Sequence, residues 1–173
     1  MTSAAPRPRP LPKLDRVIEY ARRFPECDAE AMRTYLQVRM LQTRLDHALD
    51  AHLARHRLSF GRFMVLVQLV QAEGHSAAPA QLSEVCGVTR ATMTGLLDTL
   101  QKAKLVAREA DPDDGRSVVV RLTIGGRRFL EKMLPDHYTR LTAMMSVLSR
   151  PQMKQLQRLL LRVGEGVPAL EAR

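Results

Sequence analysis

A chain of 173 residues holds enough material for one domain with a full hydrophobic core. Lys and Arg outnumber Asp and Glu 27 to 18, and the formal net charge of +9 favours a polyanionic partner. No apolar run is long enough to span a bilayer and no secretory signal is visible, so a membrane partner is not expected. Cys27 and Cys86, far apart in sequence, do not make a disulfide framework, and a reducing cytoplasm fits them. With no Trp and seven Phe and Tyr in all, nothing suggests a stacking platform for single strands. There is no Gly-rich phosphate loop, nucleophile elbow or paired-Cys motif, which argues against an enzyme and implies no cofactor.

The first twelve residues carry Pro6, Pro8, Pro10 and Pro12 beside Arg7 and Arg9. They cannot form a helix and have little to bury, so 1–12 is expected to be a disordered basic arm. Residues 13–173 are expected to form a single domain. A short helix over Lys13–Phe24 places Leu14, Val17, Ile18 and Ala21 on one face, and Pro25 ends it. Asp28 then caps a long helix to about His56. Met32, Leu36, Met40, Thr43 and His47 form one stripe along it, and Val38, Leu41, Leu45, Ala48, Leu49 and Leu53 widen that stripe. A helix with two apolar faces has more than one thing to pack against, and a second subunit is the natural candidate.

Ser59 is placed to cap an apolar helix carrying Phe60, Phe63, Met64, Leu66, Val67 and Val70, with its end at Gly74 and a loop over His75–Ala78. From Pro79 the pattern changes. Pro79 suits a first helical turn, Leu82, Val85 and Cys86 recur at helical spacing, and Gly87 stops the helix. Thr89 caps a second helix, from Arg90 to about Ala103, with Met93, Leu96, Leu97 and Leu100 on its apolar side. Two helices joined by so short a turn are a helix-turn-helix, whose second helix enters the major groove. Leu105–Ala110 and Ser117–Leu122 read as two strands around a polar loop at residues 111–116, a hairpin that forms a wing. Thr123 caps a helix to about Leu148, which Pro135 should kink near Arg128–Glu131. Ser149 and Pro151 open a last helix, closed by Gly164 and Gly166.

The expected fold is therefore mainly α with a small β-hairpin wing (α+β), a winged helix-turn-helix over about 58–123 between dimerisation helices at about 28–56 and 124–164. Its DNA surface would comprise Thr89, Arg90, Thr92, Thr94 and Gly95 on the second helix and Asp114, Gly115 and Arg116 at the wing tip. Arg116 beside Gly115 suits the minor groove, and Asp114 can orient that arginine. Charge alone does not locate this surface. Residues 89–121 carry six basic and five acidic side chains, whereas 123–164 carry eight and two.

Asp111-Pro112-x-Asp114-x-Arg116, together with Leu122-Thr123-x-x-Gly126, resembles the wing and the next helix start of the MarR family of bacterial regulators. Val88–Thr94 resembles that family's recognition helix, and the likeness covers roughly residues 30–165. Gly95 and Thr99 stand where the family often has basic residues, and Lys104 where it usually has a helix-ending Gly. The resemblance implies a homodimer interlocked by its first and last helices, which binds a pseudo-palindromic double-stranded operator and is released by a small effector.

The helix before Pro25 resembles the added N-terminal helix of the family's urate-responsive members, and Tyr20 matches the aromatic that covers their ligand. Met64 falls where those members carry an acidic residue, so a less polar aromatic acid is implied, a hydroxybenzoate or a pyridine carboxylate. Tyr20, Met40 and Phe63 would form flat walls, with Arg39, His47 or His52 for the carboxylate; each is open to a plain core or surface reading. His52 and His56 are one turn apart, a metal-capable spacing with no third ligand evident in sequence, so no metal is expected. Cys27, near a helix start, resembles the family's hydroperoxide-sensing thiol in place but not in surrounding sequence, which leaves a redox-responsive repressor as one alternative. A DNA-organising protein with no effector is the other. Cys86 reads as a small core residue.

Overall fold

The computed structural model describes residues 14–110 and 117–171, and over them the chain is mainly helical with one small antiparallel sheet. It divides into two compact units, residues 1–60 and 61–173. The expected N-terminal arm lies outside the described residues.

In the first unit, α1 (Leu14–Ala21) buries Ile18 and Ala21 and packs on α2 (Ala29–Ala54). Asp15 on α1 accepts from Arg33 on α2 at 3.2 Å. Asp28 caps α2 as expected, its carboxylate accepting from the backbone N–H of Glu30 at 2.9 Å and of Ala31 at 3.1 Å. The helix α1 stops at Ala21 rather than Phe24, and Phe24 sits exposed in the turn with its ring edge-on to Tyr20. Along α2 the wide apolar stripe is only partly covered: Leu53 is buried, but Val38, Leu41 and Leu45 are 36%, 53% and 39% exposed.

In the second unit, α3 (Phe60–Gln71), α4 (Pro79–Val85), α5 (Arg90–Lys102) and the start of α6 (Ile124–Met145) surround one core. Phe63, Leu66 and Leu69, Leu82, Met93, Leu97 and Leu100, and Leu130 and Met133 are buried there. α3 ends three residues earlier than the glycine signal implied. A 3-10 turn, Glu73–His75, comes after it, with Gly74 and His75 both at positive φ. The expected loop at 75–78 contains a strand, β1 (Ser76–Ala77). It adds to the hairpin of β2 (Val106–Ala110) and β3 (Val118–Leu122), giving an antiparallel sheet of order β1-β3-β2 with Ser76 opposite Arg121 and Val106 opposite Leu122. Val85, expected on the apolar face of α4, is 61% exposed, because α4 ends there and the chain turns at Cys86 and Gly87.

Thr123 joins the wing to α6. Its hydroxyl donates to the carbonyls of Lys104 (2.7 Å) and Leu105 (3.0 Å) and accepts from Gly126 N–H at 2.9 Å, which caps α6. Gly126 is required by space: a Cβ there would collide with Leu105 O and stand 2.7 Å from Leu122 Cδ1. Lys104, in place of a glycine, does adopt a left-handed backbone, φ 59°. α6 continues as a helix through Pro135 to Met145. Ser149 and Gln152 form the capping box of α7 (Arg150–Glu165), none of whose residues is buried.

Candidate DNA-binding interface

The N-terminus of α5 is built by its own sequence. Thr89 leaves the helix in an extended conformation and its hydroxyl accepts from Thr92 N–H at 3.2 Å. The buried stripe Met93, Leu97 and Leu100 fixes which side of α5 turns inward, and Thr89, Arg90, Thr92, Thr94 and Gly95 are thereby all exposed. The helix thus offers a guanidinium at its first turn beside backbone N–H groups, an arrangement that favours anions. The hydroxyls are not idle: Thr89 and Thr92 pair at 2.9 Å, and Thr94 donates to Arg90 O at 3.0 Å, which leaves their methyl groups and lone pairs for a base edge. A Cβ at Gly95 would meet nothing within 4 Å, so no packing within the chain requires glycine there. Asp114, Gly115 and Arg116 lie outside the described residues.

Sequence reading missed the two arginines that tie the hairpin to its surroundings. Arg108 on β2 donates through one terminal nitrogen to Gln101 Oε1 at 2.7 Å, and its other lies 2.7 Å from Asp98 Oδ1; both acceptors are on α5. Arg121 on β3 donates to Glu109 Oε2 at 2.8 Å and to Gly74 O at 2.7 Å, so it holds the turn that leads into β1. A signal was present for the first. Val106 is buried, and position 108 lies on the same face of the strand, so Arg108 had to meet what covers Val106.

Within the first unit, the candidate effector residues on α2 are spread along the helix. Tyr20 is 60% exposed on α1, with Arg23 5.3 Å from its ring centre. Arg39 is exposed and donates to Gln42, Met40 is half-buried, His47 is exposed and His52 is buried, its ring edge-on to His56 at 5.4 Å. Arg39 and His52 stand thirteen positions apart on α2, roughly 20 Å along its axis, more than one small aromatic acid can span. Phe63 belongs to the second unit, buried with its ring 5.1 Å from that of His137. Cys27 is half-buried between α1 and α2. Cys86 is half-buried at the end of α4 rather than fully in the core, and burial pushes its thiol pKa up.

A model of the MarR family matches residues 58–117, the stretch that holds α3, α4, α5 and β2 and ends just before β3. The HTH-type transcriptional repressor YetL of Bacillus subtilis is 33% identical over 135 residues, 78% of this chain and 81% of its own length. The HTH-type regulator PecS of Dickeya dadantii is 26% identical over 150 residues, 86% of this chain and 90% of its own. Among solved structures, Sco3205 of Streptomyces coelicolor, a MarR family regulator in complex with DNA, superposes with a TM-score of 0.73 at 25% identity, covering 81% of this chain and 89% of that one. With the capped, outward-facing α5 and the hairpin behind it, these matches establish that the chain belongs to the MarR family of DNA-binding transcriptional regulators and is not an enzyme.

Proposed function

We propose that the protein is a homodimeric repressor that reads a pseudo-palindromic operator through α5 and the wing and is released by a small aromatic acid. The observation that carries the reading is the exposed recognition face of α5: a capped N-terminus, Arg90 and a row of small residues, all held outward by a buried stripe. A dimer accounts for the uncovered apolar residues of α2, α6 and α7, which exceed what a lone winged helix needs. For the effector, support comes from α2, where Arg39 beside Met40 offers a planar cation next to a soft apolar surface. The His47–His52 end of the helix is too distant to share the same small molecule, so the two ends are separable by substitution.

The test begins with duplexes selected by the protein from a random pool. The selected sites should show two half-sites with centres about 10 bp apart, on the order of 34 Å. Aromatic acids are then screened for stabilisation and for release of that duplex. An effector at 100 times its Kd should raise stability by about 2.7 kcal/mol at fixed protein concentration. It must also weaken DNA binding, since a ligand with equal affinity for both states shifts nothing. Arg39→Ala should abolish the effect while His52→Ala spares it. Single asymmetric sites would count against the dimer. Release by a peroxide that Cys27→Ser abolishes, with aromatic acids inert, would replace the effector with a redox trigger.

A further inference from the structure

We propose that Arg108 is a positioning residue for DNA recognition: it clamps the wing to the C-terminal half of α5, so that helix and hairpin meet the duplex as one rigid unit. The clamp presupposes that α5 is the DNA-reading helix. Arg108 reaches from β2 to Asp98 and Gln101, two acceptors three residues apart and therefore on one face of α5, each at 2.7 Å. Two bonds from one planar guanidinium to successive turns fix both the rotation of the helix about its axis and its distance from the strand. A single ammonium has no such fork. The side chain of Arg108 is 29% exposed and that of Asp98 49%, so the pair lies at the rim of the core, where a lone ion pair contributes little to stability but a two-point bond still sets geometry. Opposite Arg108 in the register stands Val120 of β3, fully buried, which anchors the hairpin that carries the clamp.

The arrangement also accounts for an acidic residue on the exposed side of a helix that meets polyanionic DNA. Asp98 lies one turn beyond Thr94 and Gly95, where a bare carboxylate would repel phosphates. Arg108 neutralises it and is itself occupied, which takes its charge out of direct phosphate contact.

Three explanations for Arg108 predict different outcomes: positioning, phosphate contact and fold stability alone. The probes are the duplex selected by the wild-type protein and an unrelated duplex of equal length, titrated over a range of salt well below the unfolding temperature. Under the clamp, Arg108→Lys and Asp98→Asn each weaken binding to the selected duplex by roughly tenfold, and the double variant is no worse than either alone. For Arg108→Lys, which keeps the charge, binding to the unrelated duplex and the salt slope stay unchanged. Exchanging the charges, Asp98→Arg with Arg108→Asp, should recover part of the loss. The clamp is overturned if Asp98→Asn tightens both duplexes, as simple removal of a negative charge requires. It is equally overturned if Arg108→Lys changes nothing, or if Arg108→Gln weakens both duplexes and lowers the salt slope by about one. Failure of the wild-type protein to select any duplex would sink the DNA reading itself and the clamp with it.

Discussion

Gly95 shows how a single residue can carry information that packing does not explain. It sits in the middle of α5, its backbone is not left-handed, and a Cβ there would enter open space. Glycine at such a site costs a helix roughly 1 kcal/mol relative to alanine. Gly95→Ala should therefore raise the stability of the protein by about that amount in a denaturant titration. If the glycine is kept so that a DNA backbone or base edge can approach closely, the same substitution should weaken binding to the selected duplex. Greater stability with unchanged affinity would remove Gly95 from the interface. Gly126 is the counter-example: its missing Cβ is demanded by Leu105 O and Leu122, and substitution there should damage the fold whatever the protein binds.

The elements were legible in sequence to the extent that their boundaries are local chemistry. Asp28, Thr89, Thr123 and Ser149 each cap a helix through a bond to a backbone N–H two or three residues on, and each could be read from those few residues. What escaped was non-local. The strand β1 is two residues long, too short for a period, and exists because Arg121, far along the chain, offers it a partner. Val85 followed the apolar period of α4 but lies at the end of a seven-residue helix, where the period no longer predicts burial. The Arg108 clamp joins elements whose contact only the fold creates. Thr123 illustrates both kinds of information: its cap was legible, whereas its bonds to Lys104 and Leu105 were not. Thr123→Val keeps the shape and removes all three bonds. The loss should be about 1 kcal/mol for the cap alone, and more because Lys104 O loses the hydroxyl that donates to it, whereas Leu105 O keeps the backbone N–H of residue 123 at 3.1 Å. A loss below a few tenths would show that water replaces the hydroxyl at both ends.

At the scale of the whole molecule, charge and apolar exposure pull in opposite directions, and salt separates them. Within α7, Leu159, Leu160 and Val163 are 49%, 51% and 53% exposed beside Arg158 and Arg162. If two copies associate through this helix, each brings a net charge of +9, and the apolar contact must overcome that repulsion. Added salt screens the repulsion, since the Debye length falls from about 30 Å at 0.01 M to about 8 Å at physiological ionic strength. Dimerisation measured by sedimentation should then strengthen as salt rises, while DNA affinity, which depends on counterion release, should fall. Leu160→Glu places a charge in the apolar stripe and should weaken the dimer at least tenfold, to judge by buried interface side chains, without loss of helix content, because Leu160 is already half-exposed in the single chain. Binding to a duplex with both half-sites should then drop steeply, while binding to a single half-site changes little. A Leu160→Glu protein that sediments and binds as the wild type does would move the dimer contact off α7 and leave its leucines without an assigned partner.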